Sequence, residues 1–469
     1  MIKLKVDDRT VEVREGATVL EAADLAGARV PRFCYHKCLS ASGSCRLCAV
    51  EIEGTNEPVI SCREPAREGM VVRTQSELAR GARADALEFI LRNHPLDCPV
   101  CDRSGECDLQ DYYFSESLRP SRLKDPKVRK AKAQRIGPHV ILDSERCVLC
   151  TRCVRFCEEI AGVHEIGVFG RGERSEIGVI EGRSLSNPYS LMTVDLCPVG
   201  ALTSSDFRFK KRAWFLKSSA SVCTGCAAGC SIWIDHEGGV PYRIRPRENA
   251  AVNGCLACDH GRMTYRELLP ENRVVVPRVT RDNAAADVGW AEAAGFVAGL
   301  ISSGKASEVA GVLSARSSLE DNAALAGFLK NLKAERVFMS GMDPDPAFAD
   351  SILRDADRNP NSAGVVGFAK KRPADLKRGA GYVILDGLGE NDLMSLVESR
   401  PAWVVLVSSS VQRGLMWADA ILPKALPQEA GGTFVNRSGL KQRIDPIFAP
   451  AGEAKGVSEM AALLSEVLG

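Results

Sequence analysis

The residues best equipped for chemistry lie in one short loop, His94-Pro-Leu-Asp-Cys98-Pro-Val-Cys101-Asp-Arg-Ser-Gly-Glu-Cys107. One imidazole and three thiols, separated by three, two and five residues, offer four soft or borderline ligands. Such a set suits a tetrahedral zinc ion or an iron–sulfur cluster in which a neutral imidazole replaces one thiolate. Pro95 disfavours helical geometry at His94, so a helix should end there. Gly105 lets the loop curl back toward a bound centre. The loop alone leaves both metals open; the cysteines around it bear on the choice.

The chain of 469 residues holds 18 cysteines, all between Cys34 and Cys258, and none in the last 211 positions. They fall in tight groups with two-residue gaps, which is ligand spacing. A disulfide framework is out of place in a long chain without an export signal. The first group is Cys34-x10-Cys45-x2-Cys48-x13-Cys62, with Ser42, Gly43 and Ser44 free to wrap a cluster and aim N–H groups at its sulfurs. Four thiolates in a ferredoxin-like domain suggest 2Fe-2S; a zinc knuckle with spare thiols is the blander alternative. Cys38 reads as a bystander, because Cys34 is the cysteine that follows the Pro31-Arg32-Phe33 turn.

After the His94 loop come Cys147-x2-Cys150-x2-Cys153-x3-Cys157 and, much later, Cys197-Pro198. In two-cluster ferredoxins the fourth cysteine of such a run serves the other cluster. No second triplet exists between 158 and 196, so the economical solution is one 4Fe-4S cluster on Cys147, Cys150, Cys153 and Cys197, with Cys157 a spare. The last group is Cys223-x2-Cys226-x3-Cys230, closed by either Cys255 or Cys258.

The elements that must hold these groups follow from periodicity. Residues 2–6 and 9–13 alternate like a hairpin around Asp7-Asp8. Thr18-Val-Leu-Glu21 is a capping box opening a helix that runs to about Gly27, and strands return at 49–53 and 70–73, together a β-grasp pattern. A helix over 76–93, capped by Ser76, delivers His94. Arg119 to Arg135 carries eight basic residues in seventeen without interleaved aromatics, a linker or subunit contact rather than a nucleic-acid site. Residues 167–172 are too irregular for a dinucleotide fingerprint. Residues 231–235 and 240–245 form a hairpin around Gly238-Gly239 that brings the distant closing cysteine back. From about 273 the texture is α/β: strands at 309–313, 336–339, 382–386 and 403–407, helices near 290–301, 319–332 (capped by Ser317 or Ser318) and 390–399. This predicts a parallel, doubly wound sheet, with no nucleophile–base spacing or phosphate loop, so a scaffold or docking role.

With four cysteine groups in this order, the chain resembles the large iron–sulfur subunit (the 75 kDa type) of respiratory complex I, in a shortened bacterial form. Pro31-Arg-Phe-Cys34-Tyr-His and Cys45-Arg-Leu-Cys48 are similar to that family's 2Fe-2S segment, and His94 to Cys107 to its His-Cys 4Fe-4S loop. Cys150-Thr-Arg-Cys153-Val-Arg-Phe and Asp195-Leu-Cys197-Pro-Val-Gly-Ala-Leu-Thr203 resemble its next 4Fe-4S site. Cys258-Asp-His-Gly261-Arg262 matches the closing motif of the molybdopterin-oxidoreductase cluster segment, which selects Cys258 over Cys255. Ala418-Asp-Ala-Ile-Leu-Pro423 and Glu429-Ala-Gly-Gly-Thr433-Phe-Val-Asn436 resemble the tail of such domains, here shortened. Catalytic relatives often carry Lys where His260 stands and a metal-ligating Cys further on; this chain has none after Cys258.

The resemblance implies a 2Fe-2S β-grasp domain (1–76), a His-Cys 4Fe-4S domain (77–116), a ferredoxin-like 4Fe-4S domain (137–213), a molybdopterin-oxidoreductase-type 4Fe-4S domain (216–272) and a shortened α/β domain without catalytic metal (273–469). It implies one 2Fe-2S and three 4Fe-4S clusters, no molybdopterin and no flavin on this chain. The expected partners are an NADH-oxidising flavoprotein subunit with its small 2Fe-2S subunit, downstream iron–sulfur subunits of the peripheral arm and, indirectly, the membrane arm, the whole feeding quinone. A relay subunit of a soluble NAD-linked hydrogenase or formate dehydrogenase is the alternative, and a catalytic molybdopterin oxidoreductase a third reading. Lys plus Arg of 61 against Asp plus Glu of 60 supplies no field for nucleic acid. No run of about 18 apolar residues spans a membrane, and no signal segment is evident. The expected place is cytoplasmic, as a peripheral component on the cytoplasmic face of the inner membrane.

Overall fold

The computed structural model describes residues 1–116, 120–122, 124–369, 372–373, 376–410 and 412–469. The chain divides into two compact units, Met1–Leu216 and Lys217–Gly469. Residues 1–76, 77–116 and 137–213 all lie within the first unit. Among the described residues no helix is long and apolar enough to cross a membrane.

The first unit opens with strands β1 (Ile2–Val6) and β2 (Arg9–Val13), helix α1 (Val19–Leu25), then β3 (Ala49–Ile52), β4 (Val59–Ile60) and β5 (Val71–Arg73). They make a five-stranded sheet in the order β2-β1-β5-β3-β4, with β5 parallel to β1. The Thr18–Glu21 capping box forms in both directions, at 2.7 and 3.2 Å. Leu4, Val6, Val13, Leu20, Val50 and Val72 are its core. Helix α2 (Glu77–Leu91) is capped by Ser76, whose Oγ accepts from Ala79 N at 3.2 Å. Its Arg83 is fully buried: Nη1 donates to Ala49 O and Thr74 O, and Nε to Glu116 Oε2 at 2.7 Å, at the end of α3 (Asp108–Glu116). One guanidinium thereby fixes α2, and the His94 loop behind it, to both the sheet and α3.

Next come β6 (Gln134–Arg135), β7 (Val140–Leu142), α4 (Arg152–Glu159), β8 (Ile166–Phe169), β9 (Glu176–Val179), α5 (Met192–Leu196) and β10 (Leu202–Ser204). The order β10-β7-β6 builds a small sheet, and β8-β9 is the hairpin that absorbs residues 167–169. The basic segment is a strap rather than a free linker. Lys127 Nζ donates to Leu91 O and Arg92 O, both at 2.8 Å, satisfying the open carbonyls at the end of α2. Lys132 Nζ bonds Asp97 and Glu145, and Arg122 pairs with Glu88 and Asp85. Arg119 of that segment lies outside the described residues.

The second unit starts with an antiparallel sheet, β11 (Lys217–Val222), β12 (Ser231–Glu237) and β13 (Val240–Pro246), followed by α6 (Asp259–Met263). Then follow β14 (Arg278–Arg281), β15 (Ala284–Asp287), α7 (Trp290–Ser302), β16 (Val309–Ser314), α8 (Leu319–Asn331), β17 (Arg336–Ser340), α9 (Ser362–Val365), β18 (Gly381–Leu385), α10 (Glu390–Glu398), β19 (Trp403–Ser408), β20 (Ala420–Pro423), α11 (Pro427–Ala430), β21 (Gly432–Val435), β22 (Lys441–Ile444) and α12 (Val457–Leu468). Seven strands order as β15-β14-β20-β19-β18-β16-β17, parallel from β20 to β17 with an antiparallel edge hairpin. Alternate residues serve opposite faces. Val383 and Leu385 join Val297, Leu325 and Leu464 of α7, α8 and α12, while Tyr382 and Ile384 join Leu396 of α10.

Ser318, not Ser317, caps α8, accepting from Asp321 N at 3.0 Å. The strand expected through 386 ends at Leu385, because Asp386 turns to φ 54°. Its carboxylate meets the Ser317 hydroxyl and lies 2.8 Å from Lys424 Nζ. Burial alone would raise the Asp386 pKa, but Lys424 and Ser317 override it and hold the carboxyl below its usual range.

Candidate metal centres

Sixteen cysteines are free thiols: the fifteen predicted ligands and Cys157. Among the described residues no three His, Cys, Asp or Glu side chains close on a single ion position. The cysteines instead ring small spaces.

At the first centre the loops before β3 and after β4 bring Cys34, Cys45, Cys48 and Cys62 into sulfur–sulfur contact. Hydrogen bonds from Cys45 and Cys62 hold Cys34 well below the usual thiol range, and one from Cys62 lowers Cys48 to about 7. The donors are pushed the other way: sharing with Cys34 raises Cys45 and Cys62. The backbone N–H groups of Phe33 and Cys34 both reach Cys45 Sγ at 3.5 Å.

At the second, His94, Cys98, Cys101 and Cys107 line a cavity of about 20 Å³ with Asp97, Gln110, Arg146 and Gly200. His94 Nδ1 is buried and makes no hydrogen bond. Burial, then Lys127 and Arg146, lower its pKa to about 4, so the imidazole is neutral at physiological pH and able to ligate. Asp97 is gripped by Lys132 and Arg146 at 2.5 and 2.9 Å, and Arg212 donates to Cys101 O and Pro99 O, both at 2.6 Å. A Cβ on Gly200 would come within 2.3 Å of Cys101 Sγ. The loop thus has a cradle that only glycine leaves open, and an orphaned nitrogen inside it; both fit a bound cluster.

At the third, Cys147, Cys150, Cys153 and Cys197 line a second cavity of about 20 Å³, walled by Leu142, Ile177, Val199 and Leu202. Burial pushes Cys147 up to about 12 and Cys150 up to about 11, with nearby thiols adding to it. A metal bound there would have to displace their protons. Leu149 N donates to Cys147 Sγ at 3.4 Å. Cys157 faces away, with Asn187 beside it.

These three centres are contiguous in an order the chain does not follow. Helix α4 carries Cys153, and its Arg155 reaches Cys34 O of the first centre at 2.5 Å. The turn after Cys197 places Gly200 against Cys101 of the second, and Pro198 O accepts from Asp108 N at 3.0 Å. The third centre therefore stands between the other two.

In the second unit the β11–β12 turn carries Cys223, Cys226 and Cys230, with Cys223 N donating to Cys230 O at 2.8 Å. Cys258 caps α6, its sulfur accepting from Gly261 N at 3.3 Å. Burial raises Cys223 far above the usual thiol range, and Cys230, Cys258 and Cys226 raise it further. A Cβ on Gly261 would meet Cys223 Sγ at 2.9 Å, again a space kept by glycine. Two asparagines brace the site, and the spacing of cysteines gave no hint of either role. Asn253 Oδ1 accepts from Ser231 N at 2.9 Å while its Nδ2 donates to Arg247 O and Leu256 O. Asn436 Nδ2 lies 3.5 Å from Ala228 O, behind the turn. His260 packs edge-on to Phe348 and faces Arg358 Nη2 at 3.2 Å. A separate cavity of about 420 Å³ opens at the carboxyl ends of β16, β18, β19 and β20, lined by Arg316, Asp386, Ser408 and Lys424 among others.

Four family models match successive stretches: a 2Fe-2S iron–sulfur cluster binding domain over residues 1–77, the NADH-ubiquinone oxidoreductase-G iron–sulfur binding region over 83–121, the ferredoxin-like domain of NADH-quinone oxidoreductase subunit 3 over 137–203, and the molybdopterin oxidoreductase Fe4S4 domain over 216–269. The mitochondrial NADH dehydrogenase [ubiquinone] iron-sulfur protein 1 of Solanum tuberosum is 39% identical over 347 residues, 74% of this chain and 47% of the relative. The NADH-quinone oxidoreductase G subunit of Rickettsia felis is 38% identical over 343 residues, 73% of this chain and 51% of the relative. The NADH-ubiquinone oxidoreductase 75 kDa subunit of Reclinomonas americana is 37% identical over 382 residues, 80% and 55% respectively. The chain spans about half the length of these curated relatives. Cysteine groups in the family order, on a scaffold that gathers each one, place this chain in the family of the bacterial NADH-quinone oxidoreductase G subunit and the mitochondrial 75 kDa iron–sulfur protein.

Proposed function

We propose that the chain is an electron-relay subunit of an NADH-quinone oxidoreductase, holding one 2Fe-2S and three 4Fe-4S clusters on the sixteen residues described above. The observation that carries this is the continuity of three ligand sets within one unit, Cys34 to Cys150 through Arg155 and Cys197 to Cys101 through Gly200. When bound, the clusters supply one-electron exchange. The chain's own residues do the rest. Cys34, Cys45, Cys48 and Cys62 grip the first, and His94 offers a neutral nitrogen in place of a thiolate at the second. Walls such as Leu142, Val199 and Leu202 keep water off the third. N–H groups aimed at Cys45, Cys147, Cys223 and Cys258 tune potential through N–H···S bonds.

In this reading electrons arrive from an NADH-oxidising flavoprotein subunit with its small 2Fe-2S partner and leave to a further iron–sulfur subunit on the way to quinone, on the cytoplasmic face of the membrane. An apolar cavity of about 530 Å³ beside the second centre, lined by His94, Leu96, Cys98, Tyr113 and Phe114, supports docking there. Leu96 is 91% exposed at its rim. The shortened α/β domain is read as a scaffold without molybdopterin. The test is anaerobic purification of the native assembly, with iron analysis, EPR and mass spectrometry of the copurifying chains. About 14 iron atoms per chain (two plus three times four) are expected, together with flavoprotein and quinone-reducing subunits. Pale, iron-poor protein, or a copurifying nickel–iron or molybdenum subunit, would overturn the assignment.

A further inference from the structure

Two buried arginines on α4 do something that the ligand sets do not require. Arg152 and Arg155 are 7% and 9% exposed. Arg155 Nη2 donates to Cys34 O at 2.5 Å and to Cys150 O at 3.3 Å, so one nitrogen bridges ligand residues of the first and third centres. Its Nη1 donates to Ser40 O and its Nε to Thr151 Oγ1 at 3.3 Å. Arg152 Nη2 donates to Tyr35 O at 2.7 Å and lies 3.5 Å from Arg32 O, while Nη1 donates to Leu196 O at 3.2 Å, next to Cys197. Every one of these partners except the Thr151 hydroxyl is a backbone carbonyl; among the described residues neither guanidinium forms an ion pair with a carboxylate. Arg152 Nε is buried with no acceptor at all.

Asp108 feels the charge of Arg152 without pairing with it; carbonyl dipoles and one unpaired carboxylate nearby are poor compensation for two cations taken out of water. The missing charge is at hand if the neighbouring centres are filled. Four thiolates around an iron–sulfur core carry net negative charge, and each reduction adds one more. A fixed cation next to such a centre favours the reduced state, because it interacts more strongly with the extra electron.

We propose that Arg155 and Arg152 are the shared counter-cations of the first and third centres, raising both reduction potentials together and keeping the two in hydrogen-bonded contact, so that one electron leaves the first as one enters the third. They are positioning residues, not ligands. The inference rests on the relay reading above and deepens it.

The test is a redox titration followed by EPR on the native complex carrying Arg155→Gln, Arg155→Lys and Arg152→Gln. In Arg155→Gln the reduced-to-oxidised ratio at a fixed ambient potential falls about tenfold at both the 2Fe-2S centre and the Cys147-Cys150-Cys153-Cys197 centre, which for one electron is about 59 mV. Arg152→Gln shifts the same two signals in the same direction. The His94 and Cys223 centres move by less than threefold. Arg155→Lys, which keeps the charge, stays within threefold of wild type. A loop staple without electrostatic effect predicts otherwise: Arg155→Lys and Arg155→Gln would then shift alike, or neither would shift with iron content intact, and either result overturns the proposal. If the glutamine variants lose these centres outright, Arg155→Lys decides, and a tenfold shift in it overturns the proposal. A wild-type protein lacking both EPR signals would instead bring down the relay reading, an outcome distinct from an unshifted variant.

Discussion

Replacing Gly200 by alanine is the sharpest probe of how the second and third centres lean on one another. A Cβ at residue 200 would lie 2.3 Å from Cys101 Sγ, 3.1 Å from Arg103 Cβ and 3.7 Å from Arg146 Cδ. Ordinary contact is about 3.5–4.0 Å, so more than an ångström of relief must come from somewhere. Moving Cys101 swings a ligand out of the His94 set. Moving residue 200 drags the turn that begins at Cys197, a ligand of the third centre. Overpacking of this kind costs about 1–3 kcal/mol, or about a five- to 150-fold loss of retention at whichever centre yields. The assay is iron and acid-labile sulfide per chain after anaerobic purification, with EPR resolving which signal declines. A loss of about four iron atoms of about fourteen marks one centre, and about eight marks both. Gly81→Ala is the control: it stands in the interior of α2 with nothing within 4 Å of the added carbon. That variant keeps all its iron and gains about 0.5–1 kcal/mol from helix propensity. Full iron and unaltered EPR in Gly200→Ala would refute the packing argument.

Three further outcomes follow from the same geometry. His94→Cys exchanges a neutral ligand for an anionic one, so the potential of that centre falls; a redox-titrated EPR signal that stays put or rises contradicts the assignment. Lys424→Met strands Asp386 and Asp321, which sit 2.8 and 3.2 Å from the lost ammonium in a buried site. Breaking such a pair from one side costs about 3–5 kcal/mol, and at about 2–4 °C per kcal/mol the melting transition of the second unit drops by about 6–20 °C in calorimetry. Asp235, buried on β12, accepts from Ser218 and from Arg243 and Arg245 at 2.6–2.7 Å. Burial pulls its pKa upward, but the hydrogen bond and charge of Arg245, then Arg243, prevail and depress it. A depressed carboxylate stabilises the fold above its unfolded pKa of about 3.9, and that share is lost as pH falls through the lower folded value. Unfolding free energies of wild type and Asp235→Asn from denaturant titration should therefore differ by about 1.5–3 kcal/mol at pH 7 and begin to converge as pH drops below about 4; a gap independent of pH would exclude the ionic account.

Local chemistry was legible early. The Thr18–Glu21 box, the Ser76 cap, the β12–β13 hairpin and the apolar strand runs at 309–313 and 403–407 are each written in a few consecutive residues, and each forms near where the pattern puts it. Strand β20 and the β14–β15 and β21–β22 hairpins escaped notice, because strands of four residues are too short to show periodicity and β20 is completed only by pairing with the distant β14 and β19. The basic segment, expected as a linker or a subunit contact, is tied down within its own unit: Lys127, Lys132 and Arg122 are engaged by carbonyls and carboxylates that lie too far along the chain for a count of charges to reveal.

Cysteine spacing by itself determined that four groups stand at ligand spacing and what ligand chemistry each could offer, since residues two or three apart must share a turn. Which groups are neighbours was decided only by the tertiary structure. The Arg155 bridge from Cys34 O to Cys150 O and the approach of Gly200 to Cys101 join positions about a hundred residues apart, through buried guanidinium bonds and the absence of one methyl group. No local preference encodes that. It emerges only when α2, α4 and the turn after Cys197 pack into one unit, which sets a buried guanidinium beside both carbonyls and a glycine beside the sulfur.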